Sequence, residues 1–170
     1  KIISLGLKEQ VLAHGYSEFI DKNVFLKAFS EAEEALEKDY LGYGPDTTSV
    51  KVLQAINVDY IRQRRKENAQ FAIAQIQTMN SEKIRSPYKL VREQDCPLFV
   101  PLQVEPEVRL EVRQLLIQNR CYLPIHWPLS LLHKTNNISQ VIYDTELSFV
   151  CDQRYGIEDM GRMIDLLRSV

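Results

Sequence analysis

The hydrophobic and polar positions follow a helical period most clearly between Asn57 and Met79. That stretch, NVDYIRQRRKENAQFAIAQIQTM, contains neither Gly nor Pro, and Ile61, Asn68, Ala72, Ile76 and Met79 fall near one line at steps of three, four or seven. Asn57 is placed to cap the first turn, and Asp59 suits its positive end. A helix of about 20 residues is roughly 30 Å long. The second half, AQFAIAQIQ, carries small and apolar side chains on more than one face, which predicts contact on two sides. The pattern predicts a bridging helix over 57–79 between two unlike halves.

Before the bridge the chain reads as helical and acidic. Residues 2–20, with Gly6 and Gly15, suggest a short helix flanked by bends, and His14 reads as a cap or surface group. From Asn23 to Tyr40 the stripe Phe25, Phe29, Ala32, Leu36 predicts a helix, with Lys27–Glu31 and Glu34–Lys38 as surface pairs. Leu41 to Ser49 is a loop by its glycines, proline and small polar residues, without the spacing or lysine of a P-loop. Ser49 is expected to cap a short helix over Val50 to Ile56.

After the bridge the period changes. An exposed strand is expected around Tyr88 to Val91 and an apolar one over Leu98 to Gln103. Pro97 and Pro101 lack donors, so the second strand is predicted to be an edge, to be interrupted, or to begin after the first proline. Pro106 and Glu107 suit the first turn of a helix whose buried face is Val108, Val112, Leu115 and Leu116. Cys121 to Pro128 reads as a strand giving way to an irregular segment, followed by short helices or turns in LSLLHK and NNISQVIYDTEL. Ser148 to Asp152 reads as the last strand, QRYG as its exit turn, and Ile157 to Val170 as a closing helix with Ile157, Met160, Ile164 and Leu167 on one face. This order predicts an α+β fold, a small sheet covered by helices on one face. The expected organisation is 1–56 helical, 57–79 bridge and 80–170 a small α+β domain.

Composition narrows the function classes. The 170 residues are 45% hydrophobic and carry a net charge of -2, from 21 Lys plus Arg against 23 Asp plus Glu. That balance favours neither nucleic acid nor an anionic membrane, and no apolar run approaches the roughly 20 residues that span a bilayer. KIISLGLKEQV does not read as a signal peptide, and Lys1 in place of Met suggests a cut or expression boundary. Arg62, Arg64, Arg65 and Lys66 on the bridge read as a solvated or internally paired face rather than a phosphate site. Cys96, Cys121 and Cys151 fit neither a disulfide framework nor a metal pair. They are expected to be buried free thiols in strands, in keeping with a reducing cytoplasm.

Two segments carry candidate chemistry. In PIHWP, His126 follows a strand between two backbone-restricting prolines, and Trp127 supplies an apolar wall and an indole donor. His126 faces a ligand or is a structural histidine packed by Trp127. His133 is too isolated to propose a metal, and no HxxxH or HExxH occurs. In CDQRYG, Arg154 is a forked donor for a carboxylate or phosphate, or it closes a turn with Asp152. No lysine has a context that marks it for covalent chemistry.

With these segments in order, the sequence resembles the C-terminal part of sugar aminotransferases of the DegT/DnrJ/StrS type, fold-type-I enzymes that use pyridoxal phosphate. SVKVLQAINVDYIRQRRKENAQF resembles the family's short helix, restart and long helix. LSFVCDQRYGIEDMGRMIDLL resembles its last strand, exit loop and final helix. His126, Trp127 and Pro128 match the last three residues of the family's Val-His-Tyr-Pro. Asn119 and Arg120 stand where it prefers Gly and a hydrophobic residue, and Ser130 near a frequent second histidine. The resemblance implies a large domain of the same polypeptide carrying the pyridine-nitrogen Asp and the cofactor-holding Lys, with that lysine outside this chain. It further implies a homodimer, a keto-sugar nucleotide and an amino donor as substrates, and a small domain that closes over them through His126, Trp127 and Arg154. This segment alone is then expected to be inactive and without cofactor. A non-catalytic α+β binding or assembly module is the alternative.

Overall fold

The computed structural model describes residues 22–42, 44–126 and 132–170. The expectations for residues 2–20, His14, Trp127, Pro128 and Ser130 lie outside them. The chain falls into two compact units, Lys1–Ile56 and Asn57–Val170.

In the first unit, α1 spans Lys22–Lys38, a 3-10 turn spans Tyr40–Gly42, and α2 spans Thr47–Ala55. Of the expected stripe on α1, Phe25 is buried while Phe29 and Leu36 remain exposed. The Lys27–Glu31 pair forms at 3.9 Å between two exposed side chains. The cap of α2 is Asp46, not Ser49: its carboxylate accepts from the Ser49 N–H at 2.7 Å, and the helix begins three residues earlier than expected. That bond from the Ser49 amide holds the Asp46 carboxyl below its ordinary value, so the charged cap outcompetes the hydroxyl.

The second unit opens with α3, Val58–Met79. The Asn57 side chain accepts from the Tyr60 N–H at 2.9 Å, as an N-cap should. Asn80 ends the helix in the left-handed region at φ 47°, which asparagine tolerates better than most residues. The remaining elements are β1 (Ile84–Arg85), β2 (Phe99–Val104), α4 (Pro106–Gln118), α5 (Asn137–Thr145), β3 (Glu146–Val150) and α6 (Ile157–Arg168). The three strands form one antiparallel sheet in the order β1-β2-β3. Val100, Leu102 and Val104 of β2 and Leu147 and Phe149 of β3 alternate onto one face. There they join Ala69, Ala72, Ile73 and Ile76 of α3, Val112 and Leu116 of α4, and Met160, Met163, Ile164 and Leu167 of α6 in a single buried cluster. This is the α+β architecture that the pattern predicted.

Two details depart from the sequence reading. Residues 88–91 form no strand. The Tyr88 N–H is taken by Ser86 Oγ at 3.2 Å and the Lys89 carbonyl by Gln77 Nε2 at 3.2 Å, so local side chains satisfy that backbone, and pairing falls instead on Ile84–Arg85. Residues 121–126 also form no strand. Pro124 has no N–H to give, and its carbonyl receives one bond, from Ser148 N at 3.0 Å. β2 begins at Phe99, after Pro97, which is one of the three expected placements, and it carries Pro101 as the central strand. Pro101 stands opposite Ser148, whose N–H points away from β2 to Pro124, so this is a non-hydrogen-bonded pair. The proline nitrogen therefore faces the β1 side, beyond that strand's last residue, Arg85, where no ladder bond is lost.

The long helix is joined to the end of the sheet by one buried amide. Asn68 Nδ2 donates to the carbonyls of Asp152 and Tyr155, both at 3.0 Å, with a longer 3.5 Å contact to Cys151 O. Its Oδ1 has no donor among the described residues. The turn that these carbonyls belong to is closed by Asp152, which accepts from the Arg154 N–H at 2.8 Å and from Arg154 Nε at 2.9 Å. Burial raises the Asp152 carboxyl, but the side-chain and main-chain bonds from Arg154, with the charges of Arg154 and Arg65, outweigh it and hold the group below its ordinary value. The cysteines depart from expectation as well: Cys96 is exposed, Cys121 half-buried and Cys151 buried, and none lies in a strand. Cys96 occupies the loop before Pro97, and Cys121 follows Arg120, which sits at φ 60° after α4. Burial pushes the Cys151 thiol up to about 12.

Asn68→Ala strands the turn carbonyls, and denaturant unfolding should show a loss of about 2 kcal/mol. Asp152 gives a pH signature. Its folded pKa is depressed, so its contribution is complete above the unfolded value of about 3.9 and is lost as pH falls through the folded value. Asp152→Asn should lower stability at neutral pH and flatten the acid limb of a stability–pH curve; an unchanged limb would contradict the assignment. With a thiol reagent at neutral pH, Cys96 should react first, Cys121 more slowly, and Cys151 only on unfolding, as peptide mapping of the labelled chain would reveal.

Candidate functional site

The segment carrying His126 is anchored before it reaches the histidine. Cys121 N donates to Leu116 O at 2.8 Å, Leu123 is buried in the core, and Pro124 O accepts from Ser148. These ties lay residues 121–126 along the free edge of β3. The alternation of β3 sends Glu146 and Ser148 to the sheet face opposite the core, the same face as Phe99 of β2. His126 meets all three. Its Nδ1 lies 2.8 Å from Ser148 Oγ and 3.9 Å from Glu146 Oε1, and its ring stands edge-on to Phe99 at 4.5 Å between centroids and 67° between planes.

The direction of these bonds follows from the acceptor at the end. The Ser148 hydroxyl donates to the Glu146 carboxylate. Its oxygen is then an acceptor toward the imidazole, which must donate from Nδ1. Glu146 is held in turn through its main chain, whose carbonyl accepts from Arg109 Nε at 3.0 Å and Nη2 at 2.7 Å. Ser148 is 3% exposed. With its proton committed to Glu146 and its oxygen covered, it does not resemble an activated nucleophile; it is a connector between two functional groups.

Arg154 occupies a different place, in the turn beyond β3. Its side chain is 68% exposed while bonded to Asp152, and the guanidinium carbon lies 5.7 Å from the Tyr155 ring centroid. The bond to Asp152 pushes the guanidinium pKa above its ordinary value. The turn closed by Asp152 and Arg154 is thus present, with one face of the guanidinium still open to solvent. Three of the four bridge cations are engaged within the second unit: Arg64 with Glu67 at 3.5 Å, Arg65 with Gln153 at 2.8 Å and Lys66 with Glu93 O at 2.9 Å. Beside Phe99 lies an open groove of about 360 Å³, lined among others by Tyr88, Leu90, Cys96, Pro97 and Pro101.

Sequence reasoning singled out His126 but missed Phe99, Arg109, Glu146 and Ser148. The signal for Glu146 and Ser148 was their two-residue spacing in a strand, which puts two polar groups on one face. Nothing in the order of residues linked that face to His126, because the connection is made by the 121–126 segment. Among the described residues no cluster could hold a metal ion, and no helix is long and apolar enough to cross a membrane.

No family model matches the sequence, and no curated protein matches it. Solved structures do. The chain is similar to the aminotransferase TlmJ from Streptoalloteichus hindustanus, with a TM-score of 0.57 and 17% identity over 71% of this chain and 34% of that one. It is similar to the sugar aminotransferase CalS13 from Micromonospora echinospora, with a TM-score of 0.57 and 15% identity over 71% of this chain and 33% of that one. The chain therefore spans about a third of the length of either structure. At these identities the likeness is one of fold: helices, a long helix, then a three-stranded sheet flanked by helices, the architecture of a fold-type-I aminotransferase small domain.

Proposed function

We propose that this chain is the C-terminal portion of a pyridoxal-phosphate-dependent aminotransferase of the DegT/DnrJ/StrS type, acting on a keto-sugar nucleotide or a related carbonyl substrate with an amino acid as amino donor. In this reading residues 1–56 belong to the large cofactor-binding domain, 57–79 form the bridge, and 80–170 are the small domain. The observation that carries the reading is the match of fold to two aminotransferases, one of them named as a sugar aminotransferase. The motif order around Asn57, His126 and Arg154 supports it independently. The exposure of Leu41 and Leu53 in the first unit, where α2 has no buried residue, is further support, since such apolar surface is suited to packing against more protein.

Among the described residues the donor set does not fit a complete seat for pyridoxal phosphate. Lys66 and Lys83 are bonded to the main-chain carbonyls of Glu93 and Val170, and Lys27 faces Glu31 in solvent. The most enclosed carboxylate of the second unit, Asp152, is matched to Arg154. We assign the cofactor-holding lysine and the pyridine-nitrogen carboxylate to the large domain, outside this chain; in this reading the segment alone is inactive. What the second unit contributes is binding. His126 offers an imidazole and Arg154 an exposed guanidinium suited to a carboxylate or phosphate, and the sequence follows His126 with Trp127, expected as a further substrate-binding residue. The enzyme is proposed to be a cytoplasmic homodimer; three free cysteines are in keeping with a reducing compartment.

An assembly module remains the second reading, favoured by the apolar face of α5, where Ile138 is 72% and Val141 58% exposed. The longer protein separates the two. An aminotransferase should bind pyridoxal phosphate, absorb in the visible, and change its band on addition of glutamate; a module should do neither. In that protein His126→Ala should raise KM for the carbonyl substrate or slow the half-reaction by about tenfold, the worth of one well-placed hydrogen bond. Unchanged constants would remove His126 from the substrate site.

A further inference from the structure

A second cleft of the same unit takes no part in the site around His126. It lies between the chain that leaves α4 and the first turns of α6, and its lining includes Arg120, Cys121, Tyr155, Asp159 and Arg162. Its volume is about 120 Å³. One water takes roughly 30 Å³ of liquid, so the space suits a group the size of a phosphate. Asp159 is the only carboxylate among the described residues that line it, and that carboxylate accepts from the Gly156 N–H at 3.0 Å. Two guanidinium groups therefore face one committed anion.

Arg162 is the group left over. It is half-buried, and among the described residues no carboxylate lies within ion-pair distance of it, although Asp159 stands only three residues earlier on the same helix. A half-buried cation has given up part of its hydration and needs a partner to offset the loss. The fork of a guanidinium matches two oxygens of one anion. Tyr155 brings a phenol that can donate a third bond. Arg120 adds its charge, which a guanidinium keeps while its N–H groups are bonded, and nothing more is required of it. The main-chain donors of Arg120 and Cys121 are spent on Ile117 O at 3.0 Å and Leu116 O at 2.8 Å, so side chains must carry the binding.

We propose that this cleft binds a small oxyanion of the phosphate class, held by the fork of Arg162 with the Tyr155 hydroxyl as the further donor. The site lies within the second unit and does not rest on the aminotransferase reading.

Cys121 is a built-in reporter. Burial raises its thiol above the ordinary value, the charge of Arg162 opposes that rise, and the charge of Asp159 adds to it. An anion on Arg162 cancels the opposing charge and covers the sulfur, so alkylation must slow.

The test is the rate at which a thiol reagent labels each cysteine of the 170-residue chain at neutral pH, read by peptide mapping while inorganic phosphate replaces chloride at constant ionic strength. The Cys121 rate relative to that of exposed Cys96 should fall about threefold or more and saturate at tens of millimolar phosphate or below. Cys151 must stay unlabelled, which shows that each variant is folded. Arg162→Gln should abolish the phosphate effect, and Arg162→Lys, which keeps the charge without the fork, should weaken it. Tyr155→Phe should raise the half-saturating phosphate concentration about fivefold, the worth of one hydrogen bond. No fall in the ratio overturns the proposal, as does an equal fall in Arg162→Gln; an unchanged midpoint in Tyr155→Phe overturns the part given to its hydroxyl.

Discussion

One amide, that of Asn68, determines how the second unit is put together. Apolar burial supplies most of the drive for packing α3 on the sheet, but that drive has no direction. Ala69 and Ala72 allow close approach, and nothing in their methyl groups selects one axial position along the helix over another. Asn68 does. Its Nδ2 must reach the carbonyls of Asp152 and Tyr155, 84 and 87 residues along the chain, and leaving either carbonyl buried and unpaired is costly. The bonds fix where the turn after β3 sits on the long helix. Gly156 follows at once, with its N–H on Asp159, so the start of α6 is fixed as well. The close packing of α3 and α6 thus begins at a polar contact.

The same strand serves two purposes because its side chains alternate. Leu147 and Phe149 complete the core, and Glu146 and Ser148 face the other way to receive His126. A one-residue slip of β3 against β2 would exchange the two sets, burying a carboxylate among leucines and leaving the histidine against apolar groups. The stability of the core therefore guards the geometry of the polar face. Pro101 reinforces this register. It can occupy a central strand only where its nitrogen has no ladder partner, and opposite Ser148 that condition is met.

Elements with strong local signals were legible in the sequence. Asn57 capped the long helix, Pro106 opened α4, and the spacing of Met160, Ile164 and Leu167 marked the buried face of α6. The α+β class followed from their order. The strands were less legible. β1 has two residues and owes its existence to pairing with Val104 and Gln103, not to its own composition. Cys121 to His126 has the apolar content of a strand, but Pro124 leaves it one main-chain bond to β3. Asp46 outranked Ser49 as a cap because a charged acceptor binds an amide more strongly than a neutral one. Each miss came from a competition between partners distant or close, which a period or a propensity does not rank.

The candidate site was half legible for a related reason. His126 stood out by its prolines and its tryptophan neighbour, and Arg154 by its place after the last strand. What gives His126 a defined chemistry is not near it in sequence. Ser148 is 22 residues away, and Glu146 is tied down by Arg109, 37 residues upstream. A histidine alone offers two nitrogens and either tautomer. The Ser148 hydroxyl, committed to the Glu146 carboxylate, leaves its oxygen to accept from Nδ1 of the ring. A motif can nominate the imidazole, but only the fold can choose which of its nitrogens donates.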